Sequence, residues 1–572
     1  MKLKSAFFLL FRKYPLFRVG AIVFVALVAI ALFSFVGIHT KRAPVIEGIT
    51  PAVGSAGDVM TITGHDFGTT RELESYVEVG GSRITSSGYL SWGDHSIRVV
   101  LPTNVQDGLV LVGTKSGVSK PAFFANEAGI PVPVPVDTTT TLPVIVSLTP
   151  QTASYGSLIV ITGANFGTIR STSTVCFAAN RDDAASGTLN NLPLPSSGSF
   201  DLAVIAADES NYDYEYWSDT EIHVRVPDGA ASGNVYVQTN KGESNKSQLT
   251  VQSGVGSRSY SERKTYLLQT TADVENLDPK SPVTITLRVP RPQLTAQQPM
   301  AELTECTPQP IIADWRNMII HQADFEKTSA RKQRFTENFV VAVYSVHTDV
   351  NERTVKPFSE KSRVLYGGAT RPDALIKSDD ARVQQRAQEI IGRTTNPYTQ
   401  ARLLYDYLIE NYELTTEPIR GRDDALELLK ITRGDAYDFA LFFTTLARAC
   451  GIPALPVSGI LVDADLKAVN HWWCEIYLEN FGWLPIDPAL GAGLAYKAFK
   501  TQEDARSFYF GNLDGQHIAF SRGWSDVKPS AINSKIVYRP HTYALQAIWE
   551  ETSNATVNYS SLWNAPVVLG IY

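Results

Sequence analysis

An amphipathic pattern between residues 433 and 451 predicts a buried helix, because apolar residues recur there at three- and four-residue steps. The residues that share this spacing are Phe439, Phe442, Phe443, Leu446 and Cys450. Gly451 and Pro453 follow and predict the end of the helix. Apolar stretches then predict three strands, at 457–462, 471–478 and 483–486.

Two further helices are predicted ahead of this one. Asp380 ends a Ser-Asp-Asp run that is typical of a helix cap, and Asn396 precedes a proline that starts a second helix. The second helix has one apolar face, formed by Ala401, Leu404, Leu408 and Tyr412. After the three strands, the segments 508–518 and 543–549 predict additional strands. The mixture predicts an α+β domain at 375–525, with a C-terminal β segment at 526–572.

Two related segments upstream predict small β-sandwiches. Residues 44–70 and 143–169 align with an offset of 99 residues, and each contains Ile-Thr-Gly-x-x-Phe-Gly-Thr. A Trp-x-Asp-x-x-Ile-x-Val pattern also recurs, starting at Trp92 and Trp217. Short alternating stretches between Gly and Pro turns predict two all-β, immunoglobulin-like sandwiches. We place them at 43–126 and 143–252, joined by a Pro- and Thr-rich linker at 127–142, and expect a further β-rich domain at 262–370.

Residues 19–38 form an almost unbroken apolar run, long enough to cross the ~30 Å hydrocarbon layer of a membrane. The preceding arm, 1–18, contains five basic residues, Lys2, Lys4, Arg12, Lys13 and Arg18. The positive-inside rule places this arm in the cytoplasm. The run is longer than a typical signal-peptide core, and no clear A-x-A site follows it. The sequence therefore predicts an uncleaved, single-pass transmembrane helix with the bulk of the chain outside the cytoplasm.

Composition narrows the function classes. The hydrophobic content of 44% and charged content of 19% are typical of folded, core-forming domains. The net charge is −7, and the first eighteen residues carry +5, which leaves −12 for the rest and argues against a nucleic-acid partner. The four cysteines, Cys176, Cys306, Cys450 and Cys474, are scattered and predict neither a disulfide framework nor a zinc site. We expect no metal and no cofactor.

Four ordered blocks between 434 and 488 resemble the motifs of the transglutaminase-like superfamily. The blocks are Gly434-Asp435-Ala436-Tyr437-Asp438-Phe439-Ala440, Arg448-Ala449-Cys450-Gly451-Ile452-Pro453-Ala454, His471-Trp472-Trp473-Cys474-Glu475, and Gly482-Trp483 followed by Asp487-Pro488. The resemblance implies a papain-like arrangement of a cysteine nucleophile, a histidine base and an aspartate that orients the base. On this basis His471 is the base and Asp487 its orienter, whereas Ala436 occupies the position of the cysteine. The two upstream repeats resemble the IPT/TIG module.

The alanine removes the covalent chemistry that the resemblance implies. A thiol becomes a good nucleophile when a helix N-terminus and an imidazolium lower its pKa, but a methyl group has no lone pair and no proton to lose. Cys474 is three residues from His471, an odd offset that sends it to the opposite strand face. Cys450 is about 21 Å further along the helix at ~1.5 Å per residue. We expect neither thiol to substitute.

Three polar residues within or near the motif blocks are interpreted as structural. Asp438 is expected to bond the helix start, and Glu475 the neighbouring strand. His517 is interpreted as a structural residue or as part of a pocket rim, because the base implied by the resemblance is His471.

The sequence leaves three functions open. The hypothesis we adopt is a membrane-anchored pseudoenzyme whose transglutaminase-like cleft binds a peptide, protein or cell-wall ligand. The first alternative is an active hydrolase or acyltransferase of peptides, either as a Cys-to-Ala form or through water activated by His471. The second is a structural stalk or adhesion protein at the cell surface.

Overall fold

The computed structural model describes residues 42–72, 74–102, 105–126, 141–181, 202–278, 283–315, 317–325, 332–416, 425–523, 530–532, 535–537, 545–546, 548–552 and 558–572. One compact unit contains the described residues up to 126, and a second contains those from 141 to 551 and from 558 onward. The predicted arm at 1–18 and transmembrane helix at 19–38 lie outside the described residues. Among the residues that are described, none of the helices is both long enough and apolar enough to cross a membrane.

The first unit is a two-sheet β-sandwich. Its strands are β1 (Val45–Thr50), β2 (Val53–Gly54), β3 (Val59–His65), β4 (Tyr76–Val79), β5 (Ser82–Arg83), β6 (Tyr89–Trp92), β7 (Ser96–Val100), β8 (Gly108–Thr114), β9 (Gly117–Val118) and β10 (Ala122–Asn126). One sheet has the order β1-β3-β7-β6 and the other β2-β10-β8-β4-β5. Their inner faces form one apolar core. The predicted immunoglobulin-like sandwich is confirmed.

The second unit begins with a sandwich of the same topology. Its strands are β11 (Val144–Thr149), β12 (Thr152–Ala153), β13 (Leu158–Ala164), β14 (Thr174–Ala179), β15 (Val204–Ala206), β16 (Tyr214–Trp217), β17 (Glu221–Arg225), β18 (Ala230–Thr239), β19 (Gly242–Glu243) and β20 (Ser247–Val251). The sheet orders β11-β13-β17-β16 and β12-β20-β18-β14-β15 repeat those of the first sandwich.

The structure explains why the two sequence motifs recur together. In the first sandwich the indole of Trp92 donates to the carbonyl of Phe67 at 3.1 Å, and the amide of Gly68 donates to Asp94 at 2.9 Å. In the second, the indole of Trp217 donates to the carbonyl of Gly167 at 3.1 Å. The Phe-Gly and Trp-x-Asp motifs therefore hold each other in place across the sandwich.

The β-rich domain pairs two long strands with strands from the C-terminus. Its strands are β21 (Gly256–Asp278), β22 (Val283–Pro290), β23 (Met300–Thr307), β24 (Met318–Phe325) and β25 (Gln333–Val350). The late strands are β32 (Ser530–Ile532), β33 (Lys535–Val537), β34 (Trp549–Thr552), β35 (Asn558–Trp563) and β36 (Val567–Ile571). One sheet has the order β23-β25-β21-β35, with β36 also on β21, and the other has the order β24-β22-β34. The C-terminal segment therefore completes this sandwich.

The α+β domain packs helices against a mixed set of strands. The helices are α1 (Glu360–Leu365), α2 (Ala381–Ile391), α3 (Pro397–Asn411), α4 (Ala436–Ala449), α5 (Pro488–Gly491) and α6 (Ala505–Phe508). The strands are β26 (Glu413–Leu414), β27 (Arg433–Gly434), β28 (Ala454–Val462), β29 (Ala468–Leu478), β30 (Gly482–Ile486) and β31 (His517–Arg522). The main sheet has the order β30-β29-β28-β31 and α4 packs on it.

Most predicted elements of this domain are confirmed, and one is wrong. Asp380 and Asn396 cap α2 and α3, and the predicted core helix is α4. The strand predicted at 508–518 is instead the end of α6 followed by turns, and β31 begins only at His517. The alternation there resembled a strand because buried aromatic side chains lie on both sides of a turn.

Candidate active site

The N-terminus of α4 is fixed by a reciprocal pair of side chains. Asp438 donates its backbone N–H to Asp435 at 3.0 Å, and Asp435 donates its own N–H to the Asp438 carboxylate at 3.1 Å. This capping box confirms the interpretation of Asp438. A Cβ on Gly434 would lie 2.5 Å from the Cβ of Asp438, so the closed turn requires glycine there. Ala436 is the first residue of the helix and remains partly exposed between buried neighbours.

His471 and Asp487 are brought together on adjacent strands. β29 pairs antiparallel with β30, and Asp487 directly follows Ile486, the last residue of β30. Nε2 of His471 lies 2.6 Å from Oδ2 of Asp487. The side chains are 1% and 0% exposed, so this contact is shielded from water. Since Nε2 is used by Asp487, Nδ1 is the ring nitrogen left for any reacting group.

The helix that begins at Ala436 packs on the strand that carries His471. Tyr437 follows Ala436 and Trp472 follows His471, and the two rings meet edge to face with centroids 5.1 Å apart. The contact is part of the apolar core between α4 and the main sheet. The start of α4 therefore packs against β29 through Trp472, the residue after His471, and residue 436 contributes only a methyl group. The approach of His471 itself to residue 436 stays a prediction.

A second imidazole shares the carboxylate of Asp487. Nε2 of His517 lies 3.0 Å from Oδ2 of Asp487, and Nδ1 of His517 lies 2.9 Å from Oδ1 of Asp514. A carboxylate can only accept, so both ring nitrogens of His517 donate and the ring is an imidazolium. His517 is 1% exposed, which excludes the interpretation as a pocket-rim residue.

The outer carboxylate is held by two phenols. Asp514 accepts hydrogen bonds from Tyr496 at 2.6 Å and from Tyr509 at 2.9 Å. The other oxygen of Asp487 accepts the N–H of Leu490 at 2.9 Å and so caps α5. Nearly every lone pair of both carboxylates is therefore occupied, and the row Asp514–His517–Asp487–His471 is rigid.

The pKa values of this row follow from burial opposed by hydrogen bonds and charge. Burial favours the neutral acid of Asp487, but the charges and hydrogen bonds of His471 and His517 hold its pKa well below the ordinary value. Burial lowers the pKa of His517, yet the charge of Asp514 and the bonds to both carboxylates raise it to about 9. For Asp514, His517 and the phenols overcome burial and lower the pKa to about 2. Asp487, Asp514 and His517 are therefore charged at neutral pH.

Neither nearby cysteine replaces the missing thiol. Cys474 points to the opposite face of β29, where its Sγ donates to the carbonyl of Ile486 at 3.3 Å. Burial, followed by the charges of Asp487 and Glu475, raises the pKa of Cys474 well above the ordinary value. Cys450 is at the opposite end of α4 from Ala436, and burial raises its pKa to about 12.

The sequence did not single out the full row. His517 was considered only as a structural or rim residue, and Asp514 was not considered. The available signal was the Asp-x-x-His spacing immediately before the apolar strand β31. Ligand-type atoms of His471, Asp487 and His517 all lie within 4.8 Å of one another, so the three side chains have a donor set that suits a metal ion. Their polar atoms already satisfy one another as described above.

Glu475 lies two residues beyond Trp473 on the same strand face. Its carboxylate accepts from Arg522 of β31 at 2.7 Å. The role is structural, as predicted, but the partner lies on β31, which β28 separates from β29, and not on the neighbouring strand.

Comparison with known families assigns these domains. Residues 384–488 match the model of the transglutaminase-like superfamily, and residues 44–125 and 143–254 match that of the IPT/TIG domain. The chain thus contains two IPT/TIG domains followed by a transglutaminase-like domain, as the motif blocks and repeats indicated.

Individual relatives share only parts of the chain. An uncharacterized protein of Haemophilus influenzae is 27% identical over 175 residues, which is 26% of this chain and 47% of the relative. A cyclomaltodextrin glucanotransferase of Paenibacillus macerans is 34% identical over 86 residues, 15% of this chain and 12% of that enzyme. The chain therefore spans about half of the first relative and a small part of the second.

Solved structures give distant similarities. A candidate cysteine protease from Cytophaga hutchinsonii has a TM-score of 0.35 and 13% identity, with 55% of this chain and 93% of that chain covered. The periplasmic domain of TgpA from Pseudomonas aeruginosa has a TM-score of 0.22 and 17% identity, covering 36% and 69%. The residues of this chain define its site more closely than these similarities do.

Proposed function

We propose that this chain is a membrane-anchored, extracytoplasmic protein whose transglutaminase-like domain binds a peptide or protein ligand without forming a covalent intermediate. The observation that carries the proposal is the pairing of an intact, buried His471–Asp487 contact of 2.6 Å with an alanine at residue 436. The base and its orienter remain, but the atom that would attack an acyl group is missing. Loss of a nucleophile typically lowers turnover by several orders of magnitude.

A cleft on the same strand face supports a binding role. It has a volume of about 740 Å³ and lies between the second IPT/TIG domain and the edge of the main sheet. Its lining includes Glu475 and Trp483, which alternate onto the sheet face that carries His471 and Asp487. Both charge signs line it, with Arg258 and Asp228 among the polar groups. Such a cleft suits an extended peptide with polar side chains.

The His471–Asp487 pair supports a second candidate function, the hydrolysis of peptides. A histidine oriented by an aspartate can activate water as a general base, so slow hydrolysis of a peptide ligand remains compatible with the site. This reaction needs no thiol, and replacing His471 by glutamine would abolish it. Peptide binding and peptide cleavage are therefore measured separately.

The test uses a synthetic heptapeptide library incubated with the purified full chain. We expect a defined motif to be enriched on the wild type and on Val364→Trp, and to be lost on Ala206→Trp, which adds bulk at an exposed residue of the cleft lining. Val364 is 74% exposed on α1, so the matched control adds the same bulk away from the cleft. No enrichment by the wild type would contradict the binding function. Peptide cleavage that His471→Gln removes would favour the hydrolase instead.

A further inference from the structure

The apolar core of the β-rich domain contains a second row of polar side chains, formed by Thr270, Cys306 and Glu337. Glu337 of β25 lies between two directly paired neighbours, Cys306 of β23 and Thr270 of β21. Phe335 and Phe339, two residues before and after Glu337 on the same strand face, belong to the core between the two sheets. Glu337 is 0% exposed and Cys306 is 6% exposed. The row therefore lies inside the sandwich.

His321 approaches this row from the opposite sheet. It lies on β24, and its Nε2 is 2.9 Å from Oε1 of Glu337 and 3.7 Å from Sγ of Cys306. The hydroxyl of Thr270 donates to the other oxygen of Glu337 at 2.6 Å. Ligand-type atoms of the cysteine, the histidine and the glutamate all lie within 4.8 Å of one another. A thiol, an imidazole and a carboxylate thus converge on one point.

In the cluster formed by Cys306, His321 and Glu337, the buried polar groups have few hydrogen-bond and ion-pair partners. The polar contacts described for Glu337 are with His321 and Thr270, and among the described residues no lysine or arginine pairs with it. The ring of His321 is fully buried, and its Nδ1 has no hydrogen-bond partner within the part of the chain that the structure describes. A buried acid without a cation is costly, and so is an orphaned ring nitrogen. The ring is oriented through Nε2 alone, which faces the thiol and the carboxylate.

We propose that Cys306, His321 and Glu337 form a structural site for a zinc-type divalent cation that joins the two sheets of the β-rich domain. Sulfur, nitrogen and oxygen donors together are the set that Zn²⁺ accepts, whereas magnesium and calcium select oxygen alone. The site is separate from the His471–Asp487 pair and independent of the proposed binding function. The ligands come from three strands, and His321 is 15 and 16 positions along the chain from its two partners, so no local sequence motif marks the site.

The distances suit this assignment. Bonds of about 2.0–2.3 Å in a tetrahedral zinc site place neighbouring ligand atoms about 3.3–3.6 Å apart. The distance between Cys306 Sγ and His321 Nε2, 3.7 Å, is slightly longer than this range, and that between His321 Nε2 and Glu337 Oε1, 2.9 Å, is slightly shorter, so small side-chain shifts bring both into it. Thr270 holds the second oxygen of the carboxylate and so fixes its orientation toward the cation.

The charges also balance. A thiolate, a carboxylate and a neutral imidazole carry −2 in total, which one divalent cation cancels. On binding, the S–H bond breaks, a sulfur–metal bond forms and the proton leaves to solvent, with no change in oxidation state. The site is enclosed, so the cation enters as the domain folds and stabilises the folded state.

The experiment refolds the full chain in detergent with Zn²⁺, with Co²⁺ or with a chelator, and measures bound metal by mass spectrometry. We expect about one zinc per chain for the wild type, and at least a tenfold loss of bound metal for Cys306→Ala and Glu337→Gln. Cys176→Ala, which removes a buried cysteine from the second IPT/TIG domain, should keep the metal. His471→Asn should also keep it, which separates this site from the histidine–aspartate row.

Cobalt gives a readout that does not depend on a variant folding. A thiolate ligand adds a charge-transfer absorption band in the near ultraviolet, which we expect for the wild type and for Cys176→Ala. We also expect chelator to lower the thermal unfolding temperature of the wild type. Metal-free wild type after refolding with zinc, a cobalt complex without the thiolate band, or metal loss in His471→Asn alone would each overturn the proposal.

Discussion

Nε2 of His517 lies 3.0 Å from Oδ2 of Asp487, so a second imidazole shares the carboxylate oxygen that contacts His471. The positive ring of His517 competes for the electron density that Asp487 offers to the base. At the same time it fixes the position of Asp487, because its other nitrogen is held by Asp514 at 2.9 Å. His517 therefore weakens the negative potential that Asp487 presents to His471, and it also holds Asp487 in a fixed position.

We predict that His517 makes the stability of the transglutaminase-like domain decrease with rising pH. The folded-state pKa of His517 is raised from 6.5 to about 9, so its contribution is complete below pH ~6.5 and is lost as pH rises through about 9. The loss is at most on the order of 3 kcal/mol, at 1.36 kcal/mol per pKa unit. Hydrogen exchange of peptides from β30 and β31, corrected for intrinsic rates, measures it.

The variant His517→Gln should remove this pH dependence, although it also lowers stability at pH 6. The control His347→Gln replaces an exposed histidine of β25 and should leave the slope unchanged. Equal slopes for the wild type and His517→Gln would contradict the assignment of His517 as an imidazolium.

A thiol introduced at residue 436 should become reactive. Ala436→Cys would occupy the first position of α4, where the positive end of the helix favours a thiolate. We expect alkylation by iodoacetamide at pH ~6 to exceed that of a free thiol, with its pKa of ~8.5, by on the order of tenfold or more. Time-resolved mass spectrometry of the labelled peptide measures the rate.

Two comparisons accompany this measurement. His471→Ala in the Ala436→Cys background should slow the labelling, because the imidazolium that stabilises the thiolate is gone. The unmodified chain should give only background labelling, since all four native thiols lie elsewhere. Labelling no faster than that of a free thiol would mean that the site no longer supports thiolate chemistry.

We predict that the region from residue 43 onward is extracytoplasmic. The basis is the apolar run at 19–38 after a basic arm, which the positive-inside rule orients with its N-terminus in the cytoplasm. Protease added to intact spheroplasts should digest the transglutaminase-like domain, as detected with an antibody against it. A cytoplasmic marker protein should stay intact. Protection of the domain while a known surface protein is cut would exclude this topology.

Gly482→Ala should weaken the contact between the second IPT/TIG domain and the transglutaminase-like domain. A Cβ at Gly482 would lie 1.7 Å from Oδ1 of Asp228, whose Oδ2 accepts the N–H of Trp483 at 2.7 Å. Gly482 also has a φ of +89°, so alanine adds strain of ~1 kcal/mol before any clash. We expect a loss of unfolding free energy of ~2–4 kcal/mol.

The matched control is Gly493→Ala. Gly493 has a φ of +91°, but a Cβ there meets no atom within 4 Å. It should lose only the ~1 kcal/mol due to the backbone conformation. Similar thermal unfolding temperatures for the two variants would show that the contact with Asp228 contributes nothing to stability.

The sequence alone determined the elements whose signals are local. The spacing of apolar residues located α4, and the residues that cap α2 and α3 lie within three positions of the groups they bond. The four motif blocks were enough to predict that His471 and Asp487 pair. Each block identifies one site residue and the strand or helix that carries it. The same blocks revealed the alanine at 436.

Tertiary structure decided what depends on distant partners. His517 reaches Asp487 across 30 residues, and β35 pairs with β21 although nearly 300 residues separate them. The Cys306–His321–Glu337 cluster likewise forms only when two sheets face each other. The hydrophobic period of a segment records that one of its faces is buried, but not which segment covers that face. Which segments pair with one another is set by the packing of the whole domain, so these pairings are visible only in the folded chain.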